Sequence, residues 1–298
     1  MTEQARKLKS VDASNVRARV SSEEWEMRCD LAAAYQLAAQ YKWTDLIYTH
    51  FTARVPGSEH ILINPYGLMF DEITASSLVK IDHEGNVVDD ATGLGINHAG
   101  FVIHGCIHQA RPEVNCVIHT HTRAGVAVSA QKCGLLPISQ HALRTYGMLT
   151  YHDYEGVALD MDERTRITGD LGKTSKAMIM RNHGLLSLGE TVCEAFELMY
   201  YLDCACQIQI DALAGGRMDV NEISESTASK GFLQLQGPGG SKLEKEWPAL
   251  LGGVIADRST QHRVTGLEGI KDRALRNRSL DLECQFAADV CERPQVRR

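Results

Sequence analysis

The stretch Arg111-Pro112-Glu113-Val114-Asn115-Cys116-Val117-Ile118-His119-Thr120-His121-Thr122 decides how the rest of the chain reads. Pro112 stops the helical pattern of residues 97–111, and 116–119 is a short apolar run of strand type. The run ends in His-x-His. In an extended chain residues i and i+2 point to the same side, so His119 and His121 can chelate one cation from a strand end. A third ligand would give three protein donors and an open position, the catalytic pattern for zinc. His183 is a candidate third. It lies in the turn Arg181-Asn182-His183-Gly184 between two apolar segments, and Gly184 leaves room for close approach.

Working outward, Ser22-Glu23-Glu24 precedes Leu31, Ala34, Tyr35, Ala38 and Tyr41 at helical spacing, which predicts a capped amphipathic helix over 22–42. Strand-like segments follow at 47–53, 60–64 and 79–82, and Glu84-Gly85-Asn86 is a hairpin turn signal. After the 116–119 strand, residues 123–132 read as a helix closed by Cys133-Gly134, and 177–181 and 185–188 read as strands around the His183 turn. The helix over 190–213 carries a stripe of Val192, Ala195, Phe196, Met199, Leu202, Cys206, Ile210 and Leu213, ended by Gly215-Gly216. Beyond it, 224–229 is small and polar, Gly237-Pro238-Gly239-Gly240 is a break, and 244–251 reads as a short docking helix anchored by Trp247. The expected organisation is a loose arm over 1–21, one core domain over 22–216 and an extension over 217–298, with no internal repeat.

Composition narrows the function classes. The chain has 298 residues, 44% hydrophobic and 23% charged, with a net charge of −7. An acidic chain without a basic block is a poor nucleic-acid binder. No apolar run approaches the ~18 residues that would cross a bilayer, and the polar start of the chain is not a secretory signal, so a cytoplasmic protein with no membrane partner is expected. Nine cysteines, an odd number at irregular spacing with no CxxC, argue against a disulfide framework or a zinc ribbon. Two nucleotide-like patterns fail. Gly93-Leu94-Gly95 lacks its third glycine at the right distance, and Gly172-Lys173-Thr174 has Ile167 where a P-loop needs glycine.

The order of elements, with the 111–121 stretch and Arg181-Asn182-His183-Gly184-Leu185-Leu186, resembles the class II aldolase/adducin family over about residues 22–216. The resemblance implies an α/β/α sandwich, a three-layer fold with a central, mostly antiparallel sheet. It also implies a homotetramer with sites between subunits, and His119, His121 and His183 as ligands of a divalent metal. Zinc is expected first, with iron, manganese or cobalt as alternatives. Family aldolases carry a Ser-Ser-Glu motif whose Glu, an acid/base, stands nineteen residues before the first ligand His. Here that position is Gly100, preceded by His98-Ala99. Two further segments of the family's phosphate site also differ, appearing as Thr49-His50-Phe51-Thr52-Ala53-Arg54 and Asn64-Pro65-Tyr66-Gly67.

A non-phosphorylated small-molecule substrate is therefore expected. Proton transfer would fall to another group. His104, one helical turn after Gly100, is the first choice, followed by Tyr146, placed by the resemblance, and His98. His108 and His141 are further candidates. His50, Asn64 and Arg144 are the expected substrate contacts. The implied function is a divalent-metal-dependent lyase, of aldolase or decarboxylase type, working on a carbonyl or carboxylate compound through a metal-stabilised enolate. The alternatives are an adducin-like structural, actin-associated module without catalysis, and a three-His iron oxygenase.

Overall fold

The computed structural model describes residues 13–156, 162–216, 219–237 and 242–261. The expectations for residues 1–12 and 265–298, with Cys284 and Cys291, lie outside them. Eight strands form one sheet in the order β4-β3-β2-β1-β5-β8-β7-β6. They are β1 (Phe51–Arg54), β2 (Ile61–Ile63), β3 (Val79–Ile81), β4 (Val87–Asp89), β5 (Cys116–Thr120), β6 (Leu149–His152), β7 (Ala177–Met180) and β8 (Gly184–Gly189). Among the described strands only the β6–β7 pair is parallel. The sheet is thus mixed and mostly antiparallel, as the family resemblance implied.

Helices lie on both faces, and the side-chain alternation of β5 shows why. All five of its residues are buried. Cys116 and Ile118 join one core with helix α2 (Ser22–Gln40) and helix α7 (Val192–Leu213), whereas Val117 joins a second core with α3 (His98–Ala110) and α6 (Glu163–Leu171). A central strand covered on both faces has no polar side, so it reads as a continuous apolar run. The same alternation carries His119 to the α3 face with Val117, while Thr120 turns to α7 and its hydroxyl lies 3.3 Å from Met199 Sδ.

Several boundaries differ from the sequence reading. The cap of α2 is Ser21, which accepts from the Glu24 N–H at 3.1 Å. The segment expected as strand from residue 47 is regular strand only from Phe51. Before it the chain turns, with Leu46 at φ 49° and Thr49 at φ 68°. The helix after β5, α4 (Arg123–Ser129), is capped by Thr122 and stops short of residue 132. Part of the expected N-terminal arm is helical, α1 (Ala13–Arg19), and α5 (Gln140–Leu143) is a single turn. The small, polar stretch 224–229 opens a helix. Ser224 caps α8 (Glu225–Gln236), because a serine before a polar run is also an N-cap signal. The docking helix, α9 (Leu243–Gln261), is longer than expected, and Trp247 is its anchor. Its ring lies 5.8 Å from that of Phe196, and its Nε1–H reaches Asp30 at 3.3 Å.

Candidate metal centre

Three imidazoles from two neighbouring strand ends converge. His119 and His121 come from the end of β5, and His183 comes from the β7–β8 turn. One ring nitrogen from each lies within 4.8 Å of the others, and the ring centroids are 4.7 to 4.8 Å apart. The turn is built for this. Asn182 sits at φ 57°, a left-handed conformation that Asn tolerates. At Gly184 a Cβ would lie 2.3 Å from the Thr120 carbonyl oxygen, so only glycine lets β8 approach the His-x-His strand so closely.

Hydrogen bonds fix how the rings point. His119 Nδ1 lies 2.9 Å from the Leu185 carbonyl oxygen and must carry the proton there. His121 Nδ1 lies 2.9 Å from Asp45 Oδ2 and donates to it. Both Nε2 atoms therefore turn inward, 2.9 Å apart. Two lone pairs at that distance repel unless a cation stands between them. Burial, then the neighbouring imidazoles, drives His119 well below the ordinary histidine range, so His119 does not supply that charge itself. Burial, with His121 and His152, pushes His183 down to about 4. Neutral imidazole donors with Nδ1 tied to a carbonyl and a carboxylate fit a divalent metal and its supporting shell. Asp45 was not expected from the sequence. It lies 76 residues before His121, and only the general rule that ligand histidines donate to carboxylates could have asked for such a group, without saying which one.

Behind the triad runs a row of buried polar groups on β1, β2 and α3. The Thr52 hydroxyl lies 2.8 Å from both His104 Nδ1 and His108 Nε2, and His108 Nδ1 lies 3.3 Å from the Val114 carbonyl. The proton order follows from the end of the chain. His108 donates to Val114, so its Nε2 accepts from Thr52, whose oxygen accepts from His104 Nδ1–H. His104 is thereby left with a bare Nε2 lone pair. That nitrogen has no partner and the residue is fully buried. The His104 ring stands 6.4 Å from His119 and 6.2 Å from His50. His50 is also buried, with both ring nitrogens unpartnered, and so is one amide nitrogen of Asn64. Each such unmade bond costs about 1–3 kcal/mol, which makes a row of them exceptional in a native fold. Burial, then His121, holds His50 near a pKa of about 4, and burial with Arg54 pushes His108 to about 3.

The other expected residues sit elsewhere in this chain. His98 is exposed at the start of α3. Arg144 pairs with Glu197 at 2.9 Å and stacks 4.2 Å over Tyr201. Tyr146 lines a separate cavity of about 140 Å³ with Leu136, Pro137 and Tyr151, and His141 faces Tyr201. A larger open cavity, about 520 Å³, is bounded by Gln131, Lys132, Asp153, Tyr154, Arg181 and Asn182, and none of the three histidines lines it.

Known proteins are similar to this chain over most of its described length. The family described as Class II Aldolase and Adducin N-terminal domain matches residues 29–210. The crystal structure of an aldolase II superfamily protein from Pseudomonas syringae is 53% identical, with a TM-score of 0.77 over 81% of this chain and 97% of that one. L-fuculose 1-phosphate aldolase from Glaciozyma antarctica PI12 is 28% identical, with a TM-score of 0.71 over 82% and 94% of the two chains. Alpha-adducin of Rattus norvegicus is 52% identical over 190 residues, 63% of this chain and 26% of that protein.

Proposed function

The chain belongs to the class II aldolase and adducin family, and we propose that within it the protein is a metal-dependent lyase acting on a non-phosphorylated carbonyl or carboxylate compound. The observation that supports this most is the inward pair of Nε2 lone pairs on His119 and His121, with His183 beside them. These three would hold the ion, with zinc as the first choice. Bound there, a divalent ion supplies Lewis-acid polarisation of a substrate oxygen. With three neutral ligands its charge is balanced only indirectly, through Asp45 behind His121, which favours a substrate that brings or develops negative charge.

The chain's own residues account for the rest. His119 and His121 are oriented by Leu185 and Asp45. His104, held by Thr52, presents a lone pair suited to taking a proton. The polar row of His50, His104 and Asn64 contains no cationic side chain. Such a row suits hydroxyl and carbonyl groups better than a phosphate, which needs converging donors and commonly Arg or Lys. Arg144 and Tyr146 would join a site only across a subunit boundary of the family's tetramer.

The identity to alpha-adducin favours a second reading, a structural module. Elemental analysis of the purified protein, followed by a screen of keto and hydroxy acids for release of carbon dioxide or an aldehyde, separates the two. Near-stoichiometric metal that is lost in His121→Ala, together with turnover, is expected. A metal-free and inert protein overturns the lyase in favour of the structural module.

A further inference from the structure

His183 differs from the other two imidazoles of the centre. The His119 ring is tied to the Leu185 carbonyl and the His121 ring to Asp45. Among the described residues no hydrogen bond reaches the His183 ring, whose neighbours are the other two imidazoles and, at 6.3 Å, the ring of Tyr154. A ligand imidazole is ordinarily aimed by a hydrogen bond to its second nitrogen. Here the aim has to come from the backbone of the β7–β8 turn.

That turn is fastened from outside its own two strands. Arg181 Nη1 donates to the Gln131 carbonyl at 2.7 Å, and the guanidinium stacks 4.3 Å over the Tyr151 ring. The Asn182 N–H reaches the Ser129 carbonyl at 3.3 Å. The segment that receives these bonds, residues 129–136, is itself locked. From α7 the fully buried Gln209 amide accepts from the Leu136 N–H at 2.7 Å and donates to the Gly134 carbonyl at 2.8 Å and to Gln131 Oε1 at 2.7 Å. From β6 the Tyr151 hydroxyl accepts from the Leu135 N–H at 3.0 Å, and a Cβ at Gly134 would strike that hydroxyl.

We propose that Arg181 is the positioning residue of the third metal ligand: its guanidinium, docked on the Gln131 carbonyl and the Tyr151 ring, sets the turn that aims His183, and Gln209 braces the segment on which it docks. The inference rests on the metal reading of the centre given above and adds to it the group that replaces the missing ring hydrogen bond. The role is one of shape. A positive charge two residues from a ligand disfavours a bound cation. What the guanidinium offers instead is a rigid plane that stacks on one partner while its N–H donates to another.

The test is a double-mutant cycle on the full chain, read by zinc competition against a chromophoric chelator. Arg181→Met is expected to weaken zinc about tenfold, as loss of a ligand's supporting partner does. Loss of the positive charge alone would act in the opposite direction, so a weakening reports geometry. Arg181→Lys keeps the charge and a donor for the Gln131 carbonyl, and is expected to recover part of the loss. In a His183→Ala background, Arg181→Met is expected to change zinc affinity by less than about twofold, because the ring that it aims is gone. Equal losses in the two backgrounds mean a general structural role and overturn the proposal. An Arg181→Met chain that binds zinc within about twofold of the natural one overturns it as well. A natural chain that takes up no zinc, or a His183→Ala chain that binds it as tightly, overturns the metal reading instead. Amide hydrogen exchange over residues 181–185 of the metal-free chain then still decides the fastening of the turn: it is expected to be about tenfold faster in Arg181→Met, and an unchanged rate overturns it.

Discussion

Removing the Asp45 carboxylate is the most direct probe of how the metal centre is set up. His121 Nδ1 and Asp45 Oδ2 are 2.9 Å apart, with side-chain exposures of 24% and 47%. The carboxylate keeps the proton on Nδ1 and so leaves Nε2 as a lone pair aimed at His119 Nε2. Loss of such a supporting partner weakens metal binding by about 10- to 100-fold, or about 1.4–2.7 kcal/mol. Asp45 is half exposed, so water can take over part of its role, and the low end applies: Asp45→Ala should weaken zinc about tenfold. Asp45→Asn keeps an acceptor for Nδ1–H and should fall between Asp45→Ala and the natural protein. His121→Ala removes a ligand and should lose far more than either. Zinc competition against a chromophoric chelator near neutral pH measures all four. An Asp45→Ala protein that binds zinc within about twofold of the natural chain refutes the reasoning, as does one that loses as much as His121→Ala.

Thr52→Val keeps the side-chain shape but strips the hydroxyl that serves both His104 Nδ1 and His108 Nε2. Two buried groups are then unpaired, and urea unfolding should show a loss of about 2–4 kcal/mol, whereas a loss under about 0.5 kcal/mol would mean the relay is not made. Acid should destabilise the metal-stripped chain early. His50 and His108 titrate at about 4 and about 3 when folded, below the ordinary unfolded value. The unfolded state therefore binds more protons in between. The stability these groups contribute is present above about pH 6.5 and lost as pH falls toward those folded values. Unfolding free energy measured from about pH 7 to about pH 5 should drop, before ordinary carboxylates begin to titrate. A flat profile there contradicts the neutral buried histidines.

What could be read from the chain and what could not follow the same physical division. Periodicity located α2, α3, α7, β5 and the β7–β8 turn, because each buries a regular stripe or run that sequence displays directly. It failed at 47–50, where Leu46 and Thr49 take left-handed conformations that their residue types disfavour. It failed again at α8, where the capping serine sits in a polar stretch that looks like a linker.

The sequence by itself determined the strand that ends in His-x-His, the turn that offers His183, and the glycine at 100. These are local, since spacing along an extended strand or at a tight turn fixes where a side chain can go. Only the tertiary structure decided that Asp45 orients His121, that Thr52 links two histidines from another element, and that His50 fills the space above Gly100. Those partners are separated by tens of residues in the chain. They meet because the antiparallel pairing of β1 with β5, and the packing of α3 on one face of the sheet, bring them together.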